Sequence, residues 1–133
     1  MTAQYELIVD VVGRPLLSND TRHRQVLARE KKLWREAGCW IARQQRIPHL
    51  GSVQVAAWGV YPTRTMPDVG GIAPTVKAVL DGIVDAGVLK DDSPPFVQSE
   101  TFYPPIHVKG CKPGVVVLLT TVGDEWVHPG RAA

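Results

Sequence analysis

Residues 67–92 read PDVGGIAPTVKAVLDGIVDAGVLKDD and contain the clearest helix pattern of the chain. Pro74 is tolerated in a first helical turn, because its missing N–H would be unsatisfied there in any case. Gly87 follows the last periodic position and is typical of a helix end. The pattern therefore predicts a helix over residues 74–87. Its apolar residues recur at the spacing of one buried stripe: Val76, Val79, Leu80, Ile83 and Val84.

The polar residues of the same stretch surround this helix. Lys77 and Asp81 are four residues apart, which makes them neighbours on the face opposite the stripe. Asp68 comes before the helix, and the pair Asp91 and Asp92 follows it. If these groups converge, their oxygens suit a hard cation such as Mg²⁺, and a lysine beside them suits phosphate chemistry. Taken singly, the same residues also fit a surface salt bridge and an ordinary turn.

Outward from this stretch, the chain predicts a second helix and four strands. Residues 22–45 have a helical pattern with a strongly cationic face. The resulting order, βαβαββ, predicts an α+β (mixed α/β) fold in which two main helices pack on a mixed four-stranded sheet. We expect a single domain over residues 1–133, with a flexible tail at 123–133. The strands are predicted from β-branched and alternating residues at 5–12, 52–61, 96–103 and 115–122.

The composition is that of an ordinary globular protein, with 44% hydrophobic and 21% charged residues. No run approaches the ~18 apolar residues of a membrane span, and the first residues lack the basic and apolar regions of a signal peptide. Cys39 and Cys111 belong to no C-x-x-C pair, and the four histidines are scattered, so no zinc ligand set is recognisable. We therefore expect a cytoplasmic protein with reduced thiols and no membrane partner.

The charges are unevenly distributed along the chain. Residues 1–66 hold ten Lys and Arg against five Asp and Glu, a balance of +5, whereas residues 67–133 hold five against eight, a balance of −3. The first part could meet the phosphates of a nucleic acid while the second holds a cation. A helix with a well-solvated charged face explains the same numbers equally well.

The spacing of the acids and the lysine resembles that of the RusA family of Holliday-junction resolvases. The family's lysine-bearing helix, roughly K-x-x-x-D-x-L-x-x-A-G followed by D-D, matches Lys77, Asp81, Gly87 and the pair Asp91 and Asp92 without a gap. Its P-x-x-x-N loop ahead of a basic segment is similar to the weaker N-terminal motif here, which comprises Pro15, Ser18, Asn19, Arg22 and His23.

One difference from the commoner family members lies in the acidic loop. Those members carry two loop acids, and the corresponding positions here are Gly71 and Ala73. The chain instead resembles a variant that reads D-x-x-N-x-x-P-T-x-K, into which Asp68, Thr75 and Lys77 fit, with Gly71 in the place of the Asn. The resemblance therefore supplies a single loop carboxylate.

The resemblance implies an endodeoxyribonuclease that resolves four-way DNA junctions by two paired phosphodiester hydrolyses, one in each protomer of a homodimer. It implies Mg²⁺ as the cofactor, with Mn²⁺ as a substitute, in a bacterial or phage-infected cell. Asp68, Lys77 and Asp92 are the expected catalytic residues. Asp68 and Asp92 are the expected metal ligands, and Asp91 is a weaker candidate. Asp81 is a further candidate ligand, but its position four residues after Lys77 favours a role in orienting that lysine. DNA contacts are expected from Asn19, Arg22, His23, Lys31, Lys32 and Arg35.

Two other functions remain open from the sequence. The altered acidic loop is compatible with a branched-DNA-binding relative of weak or no catalytic activity. A small structural or protein-interaction domain is compatible as well, if the acids are merely surface residues.

Overall fold

The computed structural model describes residues 2–123 and 126–131, and these form an α+β fold as the sequence predicts. Five strands are present among the described residues, one more than expected. The additional strand is two residues long and follows Pro104 and Pro105, so it is too short for an alternating pattern to be visible. The elements are β1 (Gln4–Val9), α1 (Arg24–Gln44), β2 (Val53–Tyr61), α2 (Ala73–Asp85), β3 (Val97–Phe102), β4 (Ile106–His107), β5 (Gly114–Thr121) and a 3₁₀ turn (Pro129–Arg131).

The sheet is mixed and has the strand order β1-β5-β2-β3. β5 lies between β1 and β2 and is antiparallel to both, whereas β3 and β4 pair parallel to β2. Parallel neighbours need a long crossover, and α2 supplies it between β2 and β3. This connection places α2, with its lysine and acids, directly after the central strand β2.

Burial alternates along β2, because successive side chains of a strand point to opposite faces of the sheet. Val53, Val55, Ala57, Gly59 and Tyr61 are buried, while the residues between them are partly exposed. In β5 the residues from 114 to 117 are all buried, which fits a central strand. The hydrophobic core combines this sheet face with the apolar stripes of α1 and α2.

The two helices approach each other closely at two glycines. A Cβ atom added at Gly82 of α2 would lie 2.0 Å from the backbone oxygen of Arg35, and one added at Gly38 of α1 would lie 2.7 Å from the oxygen of Val79. Ala42 and Ala78 are buried beside them. Only residues without bulky side chains permit this crossing, which brings the polar edges of α1 and α2 together.

Both helices end in a left-handed residue. Gly87 has φ +83°, and the amide of Val88 bonds to the carbonyl of Ile83 at 3.3 Å, which confirms the predicted helix end. After α1 the same position is taken by Arg46, with φ 54°. A side chain with a Cβ is strained there, since glycine adopts this backbone conformation far more readily.

The predicted tail falls only partly within the described residues. Residues 124, 125, 132 and 133 lie outside them, and residues 129–131 form the 3₁₀ turn. In the part of the chain that the structure covers, neither helix has the length and apolar character needed to cross a membrane.

Candidate nucleic-acid interface

Lys77 joins two of the predicted acids. Its Nζ lies 3.1 Å from Oδ1 of Asp81, one helical turn further along α2, and also contacts Oδ2 of Asp92. The side chain of Lys77 is 59% exposed, whereas those of Asp81 and Asp92 are 32% and 22% exposed. The segment after α2 therefore returns to the polar face of the helix and brings Asp92 beside Lys77.

The neighbouring Asp91 has a different environment. Its Oδ1 accepts a hydrogen bond from the backbone N–H of Asp92 at 2.7 Å, and its Oδ2 accepts one from the hydroxyl of Ser93 at 2.8 Å. Both oxygens thus take part in the turn that follows α2. This turn leaves Asp92 as the carboxylate that faces Lys77, and the expectation that Asp91 binds a metal stays a prediction.

A groove of about 490 Å³ lies between α1 and α2. We call it the interhelical groove. It unites three of the expected DNA-binding residues with two of the expected catalytic or metal-binding residues. Their positions follow from the glycine crossing, because it sets the separation of the two helices. The groove is lined by Ala28, Lys31, Lys32 and Arg35 from α1 and by Pro74, Lys77, Ala78 and Asp81 from α2.

The cations of the interhelical groove differ in how they are paired. Arg35 forms a two-pronged ion pair with Asp85 of α2, with Nε 2.6 Å from Oδ2 and Nη2 2.8 Å from Oδ1. These hydrogen bonds hold the pKa of the Asp85 carboxyl below its usual range and raise the pKa of Arg35. Lys31 and Lys32 are exposed and form no ion pair with any described residue. They are the two α1 cations of the groove whose charge remains available to a ligand.

Arg22 and His23 shape the beginning of α1. Arg22 lies between Asp20 and Glu30, at 2.7 Å and 2.6 Å respectively, and its hydrogen bonds hold the pKa of Asp20 below its usual range. The Nδ1 atom of His23 accepts a hydrogen bond from the N–H of Gln25 at 3.1 Å, so His23 caps the helix. Both residues have local structural partners, and their contact with DNA stays a prediction.

Asn19 and Asp68 lie in a second cavity, of about 480 Å³, which we call the loop cavity. The amide of Ser18 donates to the carbonyl of Gly71 at 2.9 Å and ties the two loops together. The buried hydroxyl of Thr75 donates to the carbonyl of Leu16 at 2.9 Å, which attaches the first loop to α2. The loop cavity is lined by Leu17, Ser18, Asn19 and residues 66–71.

Asp68 lies in a different cavity from Lys77, another expected catalytic residue, and Asp92 lines neither of the two cavities. Asp68 lines the loop cavity, whereas Lys77 and Asp81 line the interhelical groove, and the two cavities have no lining residue in common. No hydrogen bond or ion pair joins the Asp68 carboxylate to a described residue. Both cavities nevertheless adjoin the first turn of α2, through Gly71 and Pro74.

Several residues that shape the site are not among the sequence-predicted ones. Thr75 fits the family's loop motif but has no expected role there, and Asp85, the partner of Arg35, is not among the expected site residues. The close crossing of the helices did leave a signal in the sequence. Small residues recur four positions apart, at Gly38 and Ala42 and again at Ala78 and Gly82, a spacing that lets helix backbones approach.

Two carboxylates near Lys77, rather than three or more, are placed to hold a divalent cation. In residues 2–123 and 126–131, no group of three or more His, Cys, Asp or Glu side chains is arranged to hold a metal. Asp81 and Asp92, however, both contact one ammonium, so two carboxylates face a single cationic position. Mg²⁺ commonly uses one or two carboxylates together with water and substrate phosphate oxygens. These two residues match that ligand set, and participation of Asp68 stays a prediction.

Comparison of the chain with protein-family models gives no match, and comparison with curated proteins gives none either. Support for a function therefore comes from the residues and contacts described above and from the sequence resemblance to RusA proteins.

Proposed function

We propose that the protein is a Mg²⁺-dependent endonuclease that binds branched DNA in the interhelical groove and resolves four-way junctions. One observation supports this proposal above the others. Lys77, with Asp81 and Asp92 against its ammonium, lies in the same groove as Lys31 and Lys32, which form no ion pair with any described residue. Phosphate-binding cations and cation-binding carboxylates are the two sets of groups that phosphodiester hydrolysis requires.

Each group has a distinct role in this proposal. Lys31 and Lys32 attract the DNA backbone irrespective of sequence, and so the affinity falls as salt is added. Asp81 and Asp92 hold the cation. When bound, Mg²⁺ polarises a phosphate oxygen and lowers the pKa of a coordinated water. Lys77 neutralises negative charge that develops on the reacting phosphate.

The resemblance to RusA proteins adds three further elements to the proposal. Paired cleavage of a junction requires two sites, which a homodimer supplies. The metal requirement extends to Mn²⁺ as a substitute. A bacterial or phage-infected cytoplasm is the proposed location, where such junctions arise during recombination and repair.

A second candidate function is the binding of branched DNA without cleavage. It is favoured by the pairing of both Asp81 and Asp92 with Lys77 and by the separate cavity of Asp68. On this alternative the same groove recognises the DNA backbone, but the carboxylates only orient the lysine.

A junction-nicking assay distinguishes the two candidates. We expect end-labelled four-way junctions to be cut symmetrically in Mg²⁺ or Mn²⁺, and Asp92→Asn to reduce the rate by on the order of 100-fold, since it removes one of two cation ligands. Glu100→Gln, which removes an exposed carboxylate of β3, is the matched control and should cut normally. Tight binding without cuts in either metal would favour the second candidate.

A binding assay tests the assumption that both candidates share. Lys32→Gln should weaken junction binding and lower the slope of log affinity against log salt by about one, because one phosphate contact is lost. Lys112→Gln, in the turn before β5, removes the same charge outside the groove and should have little effect. If the junction is not bound even at low salt, both nucleic-acid functions fail and an interaction domain becomes the better explanation.

A further inference from the structure

The ammonium of Lys77 occupies the position where two carboxylates from different segments meet. Asp81 belongs to α2 and Asp92 to the turn that follows it, and each contributes an oxygen to the same Nζ. Such a position suits any cation, and a divalent ion needs the same oxygens. An ammonium and a divalent ion that contact the same two carboxylates repel each other. They therefore compete for Asp81 and Asp92.

We infer that Lys77 is a built-in counter-ion, which a divalent cation displaces from Asp81 and Asp92 and which then turns towards a phosphate in the interhelical groove. This inference rests on the proposed function only in assigning the cation to that pair of carboxylates. It adds a regulatory property to the site, because the lysine becomes available to DNA only when the cation is bound.

The side chain of Lys77 has the freedom that this exchange requires. It is 59% exposed, it has a flexible four-carbon stem, and its two ion pairs are partly exposed to water. Ion pairs of this kind stabilise a protein only weakly and are readily exchanged. The side chain also lines the groove, so its ammonium can leave the carboxylates without leaving the site.

The charges across the groove link the cation to the DNA. Lys31 and Lys32 face the same space and oppose the arrival of a third ammonium while no anion is present. A phosphate in the groove removes that opposition and favours the displaced lysine. Cation and phosphate thus stabilise the same arrangement, and by linkage each should increase the affinity for the other.

Titration with Mn²⁺ tests the exchange without any cleavage step. The free ion is measured by electron paramagnetic resonance in the presence of wild type, Lys77→Met or Lys32→Met. We expect Lys77→Met to bind Mn²⁺ about 2- to 30-fold more tightly, the factor for removal of both partly exposed ion pairs. Lys32→Met removes the same charge from the same groove but breaks no carboxylate contact, so its affinity should change much less.

Three further measurements complete the test. Asp81→Asn should weaken Mn²⁺ binding in both the wild-type and the Lys77→Met background. Mn²⁺ should tighten junction binding severalfold in the wild type and less in Lys77→Met, which has no lysine to release. Lys77→Gln, at the same exposed position, repeats the test with a polar side chain.

The outcomes separate this inference from the proposed function. Unchanged or weaker Mn²⁺ binding by Lys77→Met, or an equal gain in Lys32→Met, would overturn the counter-ion role. A selective gain in Lys77→Met supports it, even if the wild type never cuts a junction. In that event the nuclease proposal fails while the cation-lysine exchange stands.

Discussion

The separation of the two helices sets the width of the interhelical groove, and Gly82→Ala is the substitution that tests it. An ideal Cβ at this position lies 2.0 Å from the carbonyl oxygen of Arg35 and 2.7 Å from the amide nitrogen of Cys39. Both atoms belong to the α1 backbone, so no side-chain rotation relieves the contact. Since Cβ atoms essentially never approach within 3.0 Å, the oxygen contact must lengthen by about 1 Å.

The magnitude follows from two opposing effects. Overpacking a core usually costs about 1–3 kcal/mol and sometimes more. The contact at Gly82 is relieved only if a whole helix shifts, so we expect it to cost about 3–4 kcal/mol of folding free energy. Alanine gains about 1 kcal/mol over glycine from helix propensity. The free energy of unfolding should therefore fall by about 2–3 kcal/mol. At roughly 3–5 °C per kcal/mol for a domain of this size, the melting temperature should fall by about 6–15 °C.

The assay is urea unfolding and thermal melting of Gly82→Ala beside the control Gly51→Ala. A Cβ at Gly51 meets nothing within 4 Å, so that variant should stay within about 0.5 kcal/mol of the wild type. Below its melting point, Gly82→Ala should also bind junctions more weakly, because the lysines of the two helices are moved apart. A loss under about 1 kcal/mol, or the same loss in both variants, would refute the close crossing.

Three other predictions concern single contacts. Arg46→Gly should raise the free energy of unfolding by about 0.5–1 kcal/mol, because φ 54° strains any residue with a Cβ; an unchanged urea midpoint would contradict this. Thr75→Val should cost about 1–2 kcal/mol and speed amide exchange in residues 16–19, because the buried carbonyl of Leu16 loses its donor, whereas Thr75→Ser should keep the protection. Asp85, whose pKa is lowered by Arg35, should stabilise the wild type relative to Asp85→Asn by under about 0.5 kcal/mol above roughly pH 4. This difference should vanish as the pH falls through the lower folded-state pKa, and urea titrations at pH 5 and pH 2 should show whether it does.

The regular elements could be predicted because each one leaves a local pattern. The stripe of residues from Val76 to Ile83 gave α2 to within two residues at either end, and Gly87 gave the helix end. Alternation gave the buried face of β2. The strand β4 was not predicted, because two residues form no recognisable pattern. Its pairing to β2 depends on residues far away along the chain.

Only some of the ion pairs could be predicted from the sequence. Lys77 and Asp81 are one turn apart, so their contact follows from helix geometry alone. Arg35 and Asp85 are 50 residues apart, and their contact exists only because the helices cross at Gly38 and Gly82. A glycine in the middle of a helix usually weakens it. Gly38 instead permits the crossing, since a Cβ there would meet the backbone of α2.

On the proposed function, in which the interhelical groove binds DNA, the balance of charge around the groove makes a bound cation important for the affinity. The groove and the groups paired with it contain four positive and three negative side chains, a balance of +1, which attracts a polyanion only weakly. A divalent ion would raise that balance to +3 at the place where the proposal puts the DNA backbone. Affinity for DNA should then depend on the cation even where no bond is cut, which joins the proposed function to the exchange at Lys77. The side chains in this count are Lys31, Lys32, Arg35 and Lys77 against Asp81, Asp85 and Asp92.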